Sequence, residues 1–476
     1  MYSSRRSFLK ASATAAGWLP LLGSSAMLSQ ACAQDPAVRF LAAAGAGDLD
    51  QVKGLLSANS SLLAAKDSAG RTAFALAHLA GHRPVGDYLG TAGYEPDVHE
   101  AALAQAWDRF DIVGAQSPSA VNTAHPIGGT AMYAAAAGGA GADMWRVYSL
   151  EGDPNLVPPG ATGASPLQIA LTYSDLATAE MTASAILSNA ATANPQSRVS
   201  DPPLHLAAAR GSNAMVEMLI RKGADVSALD REGRTAEEVA TRAGHADTSG
   251  MLARHAEVPR THSTSRTAYD VNGAAYVLPD ITQVAQATRS RVVGESHRNL
   301  EFVTGAIGKD PRLAHSVATN DEICVEACAH TGNKPIVELL LAHGSPYSLP
   351  TAVMRGDFPR VKSLLDEDPL RIHERGAHDF ALLWYPIIGR CDPSMLELLL
   401  ARGAKVEEQH FLGTTALHWA SMGGQVEMVD LLIQHGADVN RAGRKFGPVP
   451  ETPLQSALRR KQEDVARLLR QHGATA

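Results

Sequence analysis

The sequence predicts an all-α fold: a solenoid of short helical hairpins stacked in chain order. Three observations predict it. One pattern recurs as TALHWASMGG at 415–424, PPLHLAAARG at 202–211, TAFALAHLAG at 72–81, TAEEVATRAG at 235–244 and TPLQSALRRK at 452–461. A second pattern follows it, as MVEMLIRKGADV at 215–226, IVELLLAHGSP at 336–346, MLELLLARGAKV at 395–406 and MVDLLIQHGADVN at 428–440. The glycine landmarks keep one spacing, Gly211 to Gly223 and Gly424 to Gly436. Self-similarity at a fixed period marks a chain built from stacked supersecondary units.

The elements are justified in order from the N-terminus. Arg5 and Arg6 form a positive opening, an apolar stretch runs from about Ala11 to Leu28, and Ala31-Cys32-Ala33 supplies small residues for cleavage. Gly17, Pro20 and Gly23 interrupt the apolar stretch, which reads as a signal peptide over 1–33 rather than a membrane span. Ser4-Arg5-Arg6-Ser7-Phe8-Leu9-Lys10 resembles the bacterial twin-arginine export signal. Cys32 is alternatively the lipid-bearing cysteine of an outer-membrane lipoprotein, since LSQAC is a loose lipobox. The periplasm is the expected location.

Within each unit, Thr or Ser opens the first helix, where its hydroxyl caps free backbone N–H groups. Pro fits the first turn because its missing N–H is not needed there. Small alanines let the two helices approach closely. The second helix carries apolar residues at i, i+3 and i+4, one buried stripe. Gly then supplies the left-handed cap. These units resemble ankyrin repeats, best at 201–227 and 409–440. An N-terminal array of about seven units is expected over 34–252 and a C-terminal array of about six over 291–476. Three stretches carry a variant turn: AGDLDQVKGLLSANSSLLAAKD from Ala46, HRNLEFVTGAIGKDPRLAHS from His297 and RGDFPRVKSLLDEDPLRIHERGAHDF from Arg355. The unit at 165–189 lacks its terminal Gly-Ala-Asp, so its second helix is expected to run long. Residues 114–128 and 253–290 fit no repeat, and the latter reads as an insert or linker.

Composition excludes several classes. The net charge is -7, against a general nucleic-acid binder. No second apolar run reaches the ~18 residues of a span. There is no Gly-rich phosphate loop, Gly-x-Ser-x-Gly or His-Glu-x-x-His, and no cofactor is expected. His205 and His418 hold the repeat's own His position, where the side chain bonds turn backbone; His343, His435 and His472 lie at helix C-termini, where a cation is favoured. Cys324 and Cys328, with Glu326 and His330 nearby, are read as packing rather than as a metal site, and no metal ligands are assigned.

The resemblance implies that turn tips and the exposed ends of first helices bind a protein partner across a concave face. Mapped onto this chain, those positions are Glu322, His330, His378, Asp379, Arg390, Phe411, Leu412, Met422 and Arg459 in the C-terminal array, and Arg71, Arg231, Arg234 and Arg242 in the N-terminal one. The leading expectation is a monomeric, non-catalytic exported scaffold. One alternative is an exported enzyme using His297, His315, Glu322 or His378 as acid–base groups, provided they converge. Another is a carbohydrate or small-ligand binder using Trp107, Trp145, Trp384 and Trp419.

Overall fold

The computed structural model describes residues 35–158, 163–189, 191–195, 197, 199–255, 270, 271, 273, 274, 276–410, 413–443 and 450–475. Among these residues the regular structure is helical, and the only β pairing is isolated bridges at turns. The described α-helices pair into thirteen antiparallel hairpins, from Pro36–Ala46 with Leu49–Ala58 to Pro453–Arg459 with Glu463–Gln471. Within each of two compact units, first helices pack on first helices of the next hairpin, and several second helices pack on second helices. Each unit thus covers a stripe that its neighbour would otherwise leave wet. The chain divides into two compact units, one of Met1–Leu187 with Ala191–His255, the other of Ser188–Ala190 with Ala256–Ala476.

The local chemistry follows the repeat. Thr72, Thr130, Ser165, Thr235, Ser348 and Thr452 each accept a backbone N–H at the start of a first helix. Ser165 with Gln168, Thr235 with Glu238 and Thr452 with Gln455 complete reciprocal capping boxes. The histidine of the pattern reaches forward one unit: His205 Nε2 lies 2.9 Å from Arg234 O and His418 Nε2 3.1 Å from Glu451 O. Gln168 fills the same register and donates to Asp201 O at 3.0 Å.

The variant turn is a 3-10 helix in place of the Gly-ended cap. Asn59, Asp310 and Asp368 each accept from the backbone N–H two residues on, at 3.1, 3.1 and 3.0 Å. Each turn then buries one apolar anchor, Leu62, Leu313 or Ile372. Residues 114–128 do similar work, through a 3-10 turn at Pro118–Asn122 and a bridge between His125 and Gly129. The helix Leu176–Leu187 has 12 residues, against 9 in Asn213–Arg221.

One boundary differs from the sequence reading. The helix Gln286–Ser296 starts inside the stretch assigned to the insert. It has little amphipathic signal, since Arg289 falls on the face that buries Val292 and Val293. Arg390 takes the left-handed turn of its unit, at φ 48°, where other units place Gly211 or Gly424.

Candidate functional site

Three stretches of the second unit bring four side chains together. His297 follows the helix Gln286–Ser296 as its C-cap. Glu322 sits in the turn closed by the Val317–Ile323 bridge, just ahead of the helix Cys324–Ala329, and His330 caps the far end of that helix. His378 lies in the turn closed by the Arg375–Ala381 bridge. One ligand-capable atom of each lies within 4.8 Å of those of the other three. Glu322 Oε1 is 3.1 Å from His378 Nε2, 3.4 Å from His330 Nδ1 and 3.5 Å from His297 Nε2. The His330 ring stands edge-on to both other imidazoles, at 4.9 Å between centroids, and packs on Phe380.

Burial alone would raise the Glu322 carboxyl, but the charge on His378, and then on His297, holds it well below the usual carboxylate range. Burial works against the charged form of His297, and Glu322 overcomes it and raises this imidazole. Burial pushes His330 down to about 3, against the pull of Glu322 and aided by its two histidine neighbours. The centre therefore holds one ionised carboxylate facing imidazoles of unequal basicity. The backbone is strained beside it, with His378 at φ 55° and Asp379 at φ 62°, consecutive non-glycine residues in the left-handed region.

A second group, Asp97, His99 and His125, belongs to turn architecture. Asp97 caps its helix by accepting from His99 N at 2.9 Å and Glu100 N at 3.0 Å. Its other oxygen holds His125 Nε2 at 3.0 Å, while His99 Nε2 bonds Thr123 O, the forward reach of the repeat. Burial raises the Asp97 carboxyl, and the His125 and backbone hydrogen bonds outweigh it, bringing it to about 2.

The residues expected to meet a partner fall in different places. Glu322, His330 and Asp379 are buried, closed to a folded partner; His378 is about a fifth exposed. Arg390 is exposed in the inter-helix turn and donates to Gly423 O of the next unit at 3.3 Å. Met422 is half-buried. Phe411 and Leu412 lie outside the described residues, as do Arg5, Arg6 and Cys32. In the first unit, Arg71, Arg231 and Arg234 pair with Asp67, Asp201 and Asp230, and Arg242 is exposed.

Of the acid–base candidates, His297, Glu322 and His378 converge. His315 instead meets the Tyr276 hydroxyl at 2.7 Å. Sequence reasoning left His330 out of that set, although its place at a helix end one repeat after His297 was the available signal. Cys324 and Cys328 are buried free thiols bonded to backbone carbonyls; burial pushes Cys324 up to about 12 and Cys328 also upward. Trp384 is fully buried and Trp419 packs on the core. Trp145 is exposed, and the Arg146 guanidinium lies over both it and Trp107.

Stacked hairpins with capped first helices and forward-reaching histidines define a helical-repeat solenoid. The family model described as Ankyrin repeats (3 copies) matches residues 180–262, 325–441 and 383–476, and the chain carries ankyrin repeats. Among curated proteins, it is 32% identical over 120 residues to Protein PhlB of Serratia liquefaciens, covering 25% of this chain and 50% of that one. It is 33% identical over 118 residues to Palmitoyltransferase ZDHHC13 of Homo sapiens, covering 23% of this chain and 18% of that protein. The chain thus spans half or less of the length of these relatives.

Proposed function

We propose that this protein is a non-catalytic scaffold that binds a protein partner in the periplasm, after export through the twin-arginine signal at Arg5 and Arg6. One observation supports the binding role above others. The same hairpin turn recurs from unit to unit with a buried base and an exposed tip, and the tips differ chemically. Ser68 and Ala69 stand at one, Arg231 and Glu232 at another. A constant base with variable tips is a surface for recognition. No helix among the described residues is long and apolar enough to cross a membrane.

The test has two arms. Fractionation of cells expressing the chain with Arg5→Lys and Arg6→Lys should leave it in the cytoplasm, and the wild type should reach the periplasm. Affinity isolation should then recover one partner in stoichiometric yield, and a charge reversal at exposed Arg242 or Arg459 should reduce it. Cytoplasmic retention of the wild type overturns export. Recovery indifferent to both reversals overturns this choice of face.

A further inference from the structure

We propose that His297, Glu322, His330 and His378 bind one divalent transition-metal ion of the zinc type, which ties the helices Gln286–Ser296 and Cys324–Ala329 to the turn ahead of the helix Tyr385–Ile388. The argument begins with where each imidazole keeps its hydrogen. His297 Nδ1 lies 2.9 Å from Gly294 O, and His330 Nδ1 lies 2.9 Å from Glu326 O. His378 Nδ1 lies 2.8 Å from Asn189 Oδ1, a residue of the short Ser188–Ala190 segment that belongs to the same compact unit. All three acceptors are carbonyl oxygens, so each Nδ1 donates. In neutral His297 and His378 the lone pair is then on Nε2, the atom that faces Glu322. Such outer hydrogen bonds are how proteins select the tautomer and orientation of a metal-ligating histidine. His330 faces Glu322 with Nδ1 at 3.4 Å, so to ligate it gives up its bond to Glu326 O and carries its hydrogen on Nε2.

Glu322 supplies the second half of the argument. Its Oε1 is buried, and no ring N–H is aligned on it as a hydrogen-bond donor. Imidazole lone pairs and a carboxylate oxygen repel one another unless a cation lies among them. Protons satisfy such a pair one at a time, whereas a divalent ion satisfies the whole set. The spacing suits one. Ligands about 2.0–2.1 Å from a tetrahedral zinc ion lie roughly 3.3–3.4 Å apart. Glu322 Oε1 is 3.1 Å from His378 Nε2 and 3.5 Å from His297 Nε2, which brackets that edge. Imidazole with carboxylate is a donor set for zinc and its first-row neighbours rather than for calcium or magnesium. Four protein ligands leave no open position, the arrangement of a structural site. Entry is available because the side chains of His297 and His378 are 26% and 21% exposed.

The experiment uses the full chain, untagged and stripped with a chelator. Titration with Zn²⁺ should show one site per chain. His297→Ala with His378→Ala should weaken that site on the order of 100-fold or more, since even outer-shell losses cost 10–100-fold. His315→Gln should leave it unchanged. X-ray absorption of the wild-type zinc form should show imidazole ligands with one oxygen, and zinc should slow amide exchange across 286–380 but not across 36–104. These wild-type measurements decide the matter even where the double variant fails to fold. Absence of a site, equal affinity in a folded double variant, or a spectrum with fewer than two imidazoles would overturn the proposal.

Discussion

The forward-reaching histidine is the sharpest test of how the repeats hold one another. His205 is buried, and its Nε2 lies 2.9 Å from Arg234 O in the turn of the following unit. Replacing His205 with alanine removes the donor and leaves that carbonyl to find water at the edge of a packed interface. An unsatisfied buried partner costs about 1–3 kcal/mol, roughly 5-fold to 150-fold in the local opening equilibrium. Glutamine should recover most of this. Gln168 occupies the matching place one unit earlier and spans the same gap to Asp201 O at 3.0 Å. The assay is native-state amide exchange over the helices Pro203–Ala209 and Ala236–Ala243, which reads the opening of neighbouring hairpins separately from the rest. Faster exchange in His205→Ala on both sides of the interface, and near wild-type exchange in His205→Gln, is expected. Unchanged exchange in the alanine variant, or equal damage in the glutamine variant, would refute the reasoning.

Three further outcomes are expected. Gly138→Ala would drive a methyl into Leu103 O, a backbone atom of the preceding unit that cannot swing aside, and should lower stability by about 1–3 kcal/mol in denaturant titration. Burial, with a smaller push from Arg83 and an opposing pull from Asp87, lowers His78 to about 4. Its folded value lies below its unfolded one, so the stability it supports is complete above pH ~6.5 and is lost as pH falls towards 4, by about 3 kcal/mol. His78→Gln should remove that part of the pH slope in urea titrations. Arg371 and Glu374 form a buried ion pair at 2.9 Å. Arg371→Met should cost about 3–5 kcal/mol by leaving the carboxylate in the interior, and adding Glu374→Met should restore part of the thermal midpoint.

Much of the fold was legible because each hairpin announces itself locally. The Val216-Leu219-Ile220 stripe, the Thr235 cap and the glycine at 223 need no knowledge of neighbouring units. His205 and His418 were legible for the same reason, since their bonds run to the next turn at a fixed offset. Other features depend on which residues stacking brings face to face. Arg390 adopts a left-handed turn that most units give to glycine, so that unit lacks the glycine landmark in its sequence. Glu322 and His330 occupy register positions that are often wet, yet the His297 and His378 rings close over them. Their convergence is a property of three units in register, and no single stretch of sequence contains it.

The most direct test of the stacked-hairpin account is Leu432→Ala with residue-resolved amide exchange. Leu432 is fully buried in the helix Val426–Gln434. Truncation there should cost about 2–5 kcal/mol. The account predicts that protection falls most in 416–434, less in the flanking helices Pro393–Ala401 and Glu463–Gln471, and not at all in 36–104. Equal loss of protection across all thirteen hairpins would contradict it.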